Sequence, residues 1–158
     1  MNIRLIQKED NLGLAKVIRE VLTEYGVNKP GTVFTDPTTD ALFELFQMKD
    51  SAYFVVELNG EILGGCGVYP TKGLPKGCVE LVKIYLHHSL RGQGVGKQLM
   101  QLSIDVARAR GFISIYLETM PELSNAIGLY EMMGFQKLNS SLGDSGHFAC
   151  DLWMLKQL

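Results

Sequence analysis

Three glycines at alternate positions occur in LRGQGVGKQL (residues 90–99), between an arginine and a helical pattern. A glycine-rich turn that opens a helix is suited to phosphate, because the first helical turn offers unpaired backbone N–H groups and the positive end of the dipole. Glycine also lets a phosphate approach the backbone without meeting a Cβ atom. We therefore expect the amides of roughly Gln93–Lys97 to bind a phosphate, with Arg91 and Lys97 available for charge.

Two common phosphate-binding loops fit this stretch poorly. A P-loop needs GxxxxGK[ST], but glutamine follows Gly96-Lys97 and Arg91 occupies the position of the first glycine. A dinucleotide-binding loop needs GxGxxG, and the third glycine here is one residue early. Residues 87–91 also separate the preceding strand from the first glycine, where that fold has a tight turn. Glu118 does lie where a ribose-binding acid is expected, so a dinucleotide oxidoreductase stays open as an alternative.

Composition and charge restrict the class of protein. The chain has 158 residues, of which 46% are hydrophobic and 20% charged, and its net charge is −2. These values fit one soluble globular domain with a substantial core. Lysine and arginine are scattered, so no nucleic-acid partner is expected. No apolar run predicts a signal peptide or membrane span, and three cysteines without CxxC spacing (Cys66, Cys78 and Cys150) suit a reduced, cytoplasmic protein.

Hydrophobic periodicity and turn residues predict the elements that must position the glycine loop. After an N-terminal strand, the predicted helices cover residues 14–25, 42–46, 95–109 and 123–133, and the predicted strands cover 52–58, 61–69, 78–86, 112–120, 136–138 and 148–155. Asn59-Gly60 joins two of these strands as a type I′ hairpin. Strand 78–86, the helix after the glycines and strand 112–120 form a βαβ unit, so these two strands should be parallel. The prediction is a mixed α/β sheet with helices on its faces.

The sequence resembles the GCN5-related N-acetyltransferase (GNAT) superfamily over roughly residues 52–135. The resemblance is carried by the NG hairpin, ELVKIYL (80–86), RGQGVG (91–96), IYLET (115–119), Asn125 and LYEMMGF (129–135). The glycine loop matches the family pattern Arg/Gln-x-x-Gly-x-Gly/Ala without a gap. The ending YexxGF, with an asparagine five residues before its tyrosine, is a second, separate signature. The resemblance implies a mostly antiparallel sheet with one splayed parallel strand pair and about four helices.

The resemblance also implies acetyl-CoA as co-substrate, with no metal, and a role for each matching residue. The pyrophosphate would bind the amides of Arg91, Gly92, Gln93, Gly94, Val95, Gly96 and Lys97. The pantetheine arm would pair with the backbone of Ile84, Tyr85 and Leu86 like an added strand. Asn125 would contact CoA or order the loop before its helix. Tyr130 would donate a proton to the departing CoA thiolate.

An acceptor amine is protonated at neutral pH, so a base must remove a proton before attack. Glu80 is the first candidate, because period-2 alternation places it on one strand face with Val82, Ile84 and Leu86, an unusual position for an unpaired acid. Family members often have glutamate here. A salt bridge at the strand end is the competing interpretation. Glu118, at the end of the next strand, is the second candidate.

The segment SGHFACDLW (145–153) raises two further possibilities, a nucleophile and a metal site. His147 and Cys150 lie three residues apart, so on a strand they point to opposite faces and would not share a metal. The family's usual course is direct transfer in a ternary complex rather than through an acyl-cysteine. His147 stays a candidate for lining the acceptor pocket.

These features predict an acetyl-CoA-dependent N-acetyltransferase, an acyltransferase for groups other than aminoacyl, that acts on a primary amine of a small molecule. Residues 1–158 are expected to form one domain, with acceptor-side helices in 1–50 and the acetyl-CoA-binding core in 78–135. The resemblance leaves a homodimer open. The alternative is a non-catalytic GNAT-fold module that binds CoA or another ligand as a sensor, but the presence of Tyr130 and Glu80 favours the enzyme.

Overall fold

A seven-stranded sheet runs through the computed structural model, which describes residues 1–158. The strands are β1 (Asn2–Leu5), β2 (Ala52–Leu58), β3 (Glu61–Tyr69), β4 (Cys78–Leu86), β5 (Ser114–Thr119), β6 (Gln136–Leu138) and β7 (Leu152–Gln157). They lie in the order β1-β2-β3-β4-β5-β7-β6, and every neighbouring pair is antiparallel except β4 and β5. The predicted mixed, mostly antiparallel sheet with one parallel strand pair is confirmed.

Four α-helices cover the two faces of the sheet: α1 (Asn11–Glu24), α2 (Leu42–Leu45), α3 (Val95–Ala109) and α4 (Ser124–Met132). The apolar stripe of α1, with Leu14, Ile18 and Leu22, packs on one face. Helices α3 and α4 pack on the other, where Leu99 and Tyr130 join a second buried cluster. The sheet therefore has a core on each side, and its two faces can carry two different sites.

The last strand differs from its prediction. Residues 148–155 were expected to form it, but β7 runs from Leu152 to Gln157. The residues before it turn back, with the Cys150 amide donating to the His147 carbonyl at 3.0 Å. The Phe148 side chain is 82% exposed. A run of apolar residues cannot by itself distinguish a strand from a turn whose aromatic side chain faces solvent.

The parallel strands β4 and β5 pair only at their beginnings. Cys78–Glu80 pairs with Ser114–Tyr116, and no pairing continues beyond them. On its other side, β5 stays paired with β7 as far as Thr119. The remainder of β4, residues 81–86, therefore has a free edge on the side where β5 diverges. This is the splay that the resemblance implied.

A bulge in β4 changes the direction of its side chains. Val82 pairs with Gly67 and Tyr85 with Gly65, so Lys83 and Ile84 together face the single residue between those two glycines. Lys83 has a φ of 51°, an uncommon value for a residue with a long side chain. Its carbonyl accepts a hydrogen bond of 2.7 Å from the buried Tyr53 hydroxyl, which helps to hold this conformation.

Candidate active site

The glycine loop presents a row of free amides at the start of α3. Gly92 and Gly94 have φ values of 73° and 78°, a region that favours glycine. None of the backbone N–H groups of residues 92–97 donates a hydrogen bond within the protein, whereas the Arg91 amide donates to the His88 carbonyl at 3.2 Å. Gly94 is the N-cap of α3 and has no side-chain cap. These amides and the helix dipole form a cradle for an anion that begins at residue 92 rather than 91.

The two basic side chains of the loop have different surroundings. The Arg91 guanidinium is bound by both carboxylate oxygens of Glu24, at 2.6 and 2.7 Å, and lies over the Tyr25 ring. Its Nε also donates to the Leu86 carbonyl at 3.1 Å. Lys97 is exposed and forms no ion pair. Glu24 therefore occupies guanidinium donors of Arg91 in this structure, and the contribution of the Arg91 charge to phosphate binding stays a prediction.

Asn125 joins the same cluster from the start of α4. Its amide nitrogen donates to the Tyr25 hydroxyl at 3.0 Å, and that hydroxyl also lies 3.4 Å from Arg91 Nη1. The end of α1 is thus tied both to the glycine loop and to α4. These contacts of Glu24 and Tyr25 could not be predicted, since nothing in the pattern of α1 indicates contact with a loop more than sixty residues away.

A cavity of about 400 Å³ lies between the free edge of β4, the glycine loop and α4. We call it the donor cavity, because the resemblance implies that acetyl-CoA, the acetyl donor, would bind along these residues. It brings together the predicted residues Ile84, Tyr85, Leu86, Arg91, Gly92, Gly94, Val95, Gly96, Lys97, Asn125 and Tyr130. Gln93 is the one predicted loop residue outside the lining, and its side chain donates to the Ser89 carbonyl at 2.6 Å.

Tyr130 lies deep in this cavity. It is 4% exposed and packs edge-on against Phe135, with ring centroids 6.1 Å apart. Its hydroxyl forms no hydrogen bond with another protein group, and burial raises the pKa of the phenol well above its usual value. The side chain is therefore a protonated donor that lacks a partner inside the protein.

A second cavity of about 340 Å³ adjoins the first where β4 and β5 diverge. We call it the acceptor cavity, after the acceptor pocket that is expected from the sequence. Both cavities are lined by Leu81, Lys83, Tyr85, Glu118, Thr119 and Leu123. Residues from the loop after α1, from the turn after β3 and from the segment before β7 complete the acceptor cavity. The two spaces meet at the splay, so molecules bound in each would come into contact there.

Glu80 faces the acceptor cavity, but its neighbours on that strand face are not all those that alternation predicted. Val82 and Tyr85 pack toward the α1 face, whereas Ile84 and Leu86 pack on the α3 face. The prediction that Glu80 shares a face with Ile84 and Leu86 is wrong, because the bulge at Lys83 inverts the alternation between them. Val82 alone of the three predicted neighbours lines the same cavity.

The environment of Glu80 favours a base that is active near neutral pH. The residue is 4% exposed, and burial raises the pKa of its carboxyl to about 7. A hydrogen bond from the Thr71 hydroxyl opposes this rise, and the nearby Glu118 adds to it. A carboxyl that loses its proton near pH 7 is matched to general base catalysis.

Opposite Glu80, three polar side chains from distant segments form a cluster. Asp36 accepts hydrogen bonds from Lys83 Nζ at 3.2 Å and from His147 Nε2 at 2.9 Å. Burial opposes the charge of Asp36, but His147, Lys83 and the hydroxyl and amide of Thr38 outweigh it and keep the pKa of this carboxyl well below its usual range. Burial lowers the pKa of Lys83, and Asp36 opposes that change. His147 also lines this cavity, and its predicted part in an acceptor pocket stays a prediction.

The other candidate residues are less suited to act as a base or a nucleophile. Each carboxylate oxygen of Glu118 already accepts one hydrogen bond, from the Tyr116 hydroxyl at 2.9 Å and from the Ser145 hydroxyl at 2.5 Å. Burial raises the pKa of the Cys150 thiol to about 12, an effect to which Glu118 and Glu80 add. A thiol with such a pKa is a poor nucleophile. No group of three or more His, Cys, Asp or Glu side chains could hold a metal ion.

Residues 16–135 match the model of the acetyltransferase (GNAT) family. The chain belongs to the GNAT family. The match begins within α1 and covers the strands and helices that carry the free amides, the splay and Tyr130. No helix has the length and apolar character needed to cross a membrane.

Similar proteins extend the match to nearly the whole chain. The uncharacterized N-acetyltransferase YjgM of Escherichia coli K12 is 39% identical over 157 residues, which is 99% of this chain and 94% of that protein. Rat N-acetyltransferase 8 is 34% identical over 61% of this chain and 44% of its own length. A GNAT acetyltransferase from Staphylococcus aureus Mu50 has the same fold, with a TM-score of 0.87, 16% identity and coverage of 99% and 98% of the two chains. PaiA N-acetyltransferase from Thermoplasma acidophilum, solved with coenzyme A, has a TM-score of 0.71 at 16% identity, with both chains fully covered.

Proposed function

We propose that this protein is an acetyl-CoA-dependent N-acetyltransferase that acetylates a primary amine of a small molecule by direct transfer. The observation that carries the proposal is the meeting of two cavities at the splay. One has free amides and a partnerless phenol, and the other has a buried carboxyl with a pKa near 7. The likeness to N-acetyltransferases and to a fold solved with coenzyme A supports this choice of donor.

Successive parts of the donor cavity suit successive parts of acetyl-CoA. The pyrophosphate is assigned to the amides of residues 92–97, with Lys97 near enough to add charge. The pantetheine arm is assigned to the free edge of β4 at Ile84 and Tyr85, where unpaired backbone groups can form a short added strand. The Leu86 carbonyl is a weaker partner, since Arg91 already donates to it. This arrangement brings the thioester to the splay.

The acceptor cavity suits an amine of limited size. Its volume falls within the range of small-molecule sites. It is enclosed in part by the loop after α1 and the segment before β7. Glu80 takes the proton of the bound ammonium group. The neutral nitrogen then forms a bond to the thioester carbonyl carbon, and the carbon–sulfur bond breaks as Tyr130 gives its proton to sulfur. The acylated nitrogen releases its second proton to solvent. The products are an N-acetyl amine and CoA with a free thiol.

The experiment that tests this proposal is a panel of primary amines with acetyl-CoA, read out as release of the CoA thiol. We expect turnover with at least one amine and a loss of about 100-fold or more in kcat for Tyr130→Phe, in the range of lost general acid catalysis. CoA affinity, measured by calorimetry, should stay close to that of the parent protein because the substitution removes only the hydroxyl.

Two results would contradict the proposal. CoA binding without turnover of any amine by the parent protein would favour the sensor module. A shift of the melting temperature by NAD(P) and not by CoA would favour a dinucleotide enzyme. Full activity in Tyr130→Phe would leave an acetyltransferase but remove Tyr130 as its acid.

A further inference from the structure

The hydroxyl of Thr119 is the one fully buried side-chain N or O atom in this protein without a hydrogen-bond partner. Thr119 ends β5 and is 2% exposed. Leaving such a group unpaired destabilises the folded protein, because the group loses its hydrogen bonds with water and gains none in return. A valine of nearly the same shape would avoid this penalty, so the presence of threonine points to a partner that arrives with the substrates.

The position of Thr119 identifies the side from which that partner comes. Along β5, Ile115 and Leu117 pack on the α3 face, and alternation places Thr119 with them, whereas Glu118 points to the opposite face. Thr119 lines both cavities at the splay, and Tyr130 belongs to the same α3-side core. Two hydroxyls without protein partners thus lie on the donor side of the place where the strands diverge.

We propose that the Thr119 hydroxyl donates a hydrogen bond to the sulfur of the departing CoA thiolate, beside the proton donor Tyr130. This inference rests on the proposed function. The substrate amine has its acceptor in Glu80 on the opposite face, so a donor on the α3 side is placed for the group that gains negative charge. A donor that is already fixed and unpaired before the reaction needs no reorganisation when that charge develops.

The step balances without any further reactant. The nitrogen–carbon bond forms, the carbon–sulfur bond breaks, and the electron pair of that bond goes to sulfur. Tyr130 supplies the proton that ends on the thiol, the acylated nitrogen releases its second proton to solvent, and solvent later returns a proton to Tyr130. Thr119 keeps its proton throughout and contributes only the hydrogen bond, which is strongest when sulfur is anionic.

The test compares Thr119→Val with Thr119→Ser in the full-length protein. Removing the hydroxyl should lower kcat about 10-fold or more, toward the range seen for a lost oxyanion-hole donor, with KM for acetyl-CoA little changed. Serine should restore most of the rate. The pKa of the CoA thiol in the binary complex, followed by the ultraviolet absorbance of the thiolate, should rise in Thr119→Val and return in Thr119→Ser.

Thr39→Val is a matched control for stability. Thr39 is also fully buried, but its hydroxyl donates to the Val33 carbonyl at 2.8 Å. We expect Thr39→Val to lower the melting temperature, because it leaves that carbonyl unpaired, and Thr119→Val to leave it unchanged or raise it. A lower melting temperature in Thr119→Val would show that the hydroxyl has a partner within the protein, and would overturn the inference.

The kinetic outcomes separate the two proposals. Parent-like kcat in Thr119→Val, in a protein that acetylates amines, would overturn the role of Thr119 and leave the proposed function standing. A reduced kcat with no change in the bound thiol pKa and no rescue by serine would also overturn it. Absence of turnover in the parent protein would instead remove the proposed function on which the inference rests.

Discussion

The donor and acceptor cavities adjoin at one splay, yet they are built from different chemistry. The donor cavity offers mainly backbone groups, namely the amides of residues 92–97 and the free edge of β4. The acceptor cavity offers mainly side chains, including Asp36, Glu80 and His147, which come from segments far apart in the chain. One site therefore depends on a continuous stretch of conformation, and the other on how distant loops come together.

This difference has a consequence for which substitutions each site tolerates. A backbone site is insensitive to most side-chain changes but sensitive to any residue that cannot adopt the required φ values. A side-chain site is sensitive to the loss of single groups, since each carries its own charge or proton. Substitutions in the two cavities should accordingly separate donor affinity from acceptor chemistry.

Within the acceptor cavity, the largest effect is expected from Glu80→Gln. Loss of a general base should lower kcat/KM about 100-fold at pH 8, with CoA affinity unchanged. Because burial raises the pKa of Glu80 to about 7, kcat/KM of the parent protein should rise with pH through that value. The variant should lack this rise and keep only the one due to the amine. A pH profile in the variant identical to that of the parent would assign the base to Glu118 or to water.

The same substitution predicts a pH-dependent change in stability. The folded protein keeps a proton on Glu80 up to about pH 7, whereas an unfolded chain loses it near the ordinary glutamate value. The folded state thus binds more protons in this window, and the contribution of Glu80 to stability falls as pH rises through it. Melting curves should show Glu80→Gln gaining stability relative to the parent at pH 8 compared with pH 5. An equal difference at both pH values would contradict the raised pKa.

The donor cavity was largely predictable from the sequence because its determinants are local. The spacing of glycines between Arg91 and Lys97 specifies the turn and the helix start together, and LYEMMGF places Tyr130 on the next helix. The Asn59-Gly60 hairpin was equally clear, since both residues adopt the positive φ values of a type I′ turn, 54° and 84°. Features that local patterns specify can therefore be predicted from a single sequence.

The acceptor cavity was less predictable because its contacts span most of the chain. Asp36 meets Lys83 and His147 across 47 and 111 residues, and no spacing rule connects them. β4 contains no glycine that would indicate the bulge at Lys83, so alternation predicted the wrong face for Ile84 and Leu86. The pairing of Arg91 with Glu24 could not be predicted for the same reason.

A smaller effect, on donor affinity alone, is expected from Gly94→Ala. A left-handed conformation costs a residue with a Cβ about 1–2 kcal/mol, and the added methyl would stand within the amide cradle. We expect CoA to bind about 10-fold more weakly by calorimetry, with acceptor preference unchanged. Gly111→Ala is the matched control, because Gly111 has a φ of 83° and open space around it at the other end of α3. It should lose similar stability and keep CoA affinity. Equal weakening in both variants would indicate a global effect instead of a local one.

The smallest effect is expected from Lys97→Met, which tests whether side-chain charge adds to the backbone cradle. Lys97 is exposed, so its attraction for a phosphate should be worth about 0.3–1 kcal/mol and be screened by salt. CoA affinity should fall about two- to fivefold at low ionic strength and match that of the parent protein at high ionic strength. Lys49 is an exposed lysine outside both cavities, so Lys49→Met should change neither value.

If Lys97→Met binds CoA like the parent even at low salt, the amides alone meet the phosphate charge. If the loss persists at high salt, Lys97 forms a direct, desolvated contact, and the donor site depends on a side chain as the acceptor site does.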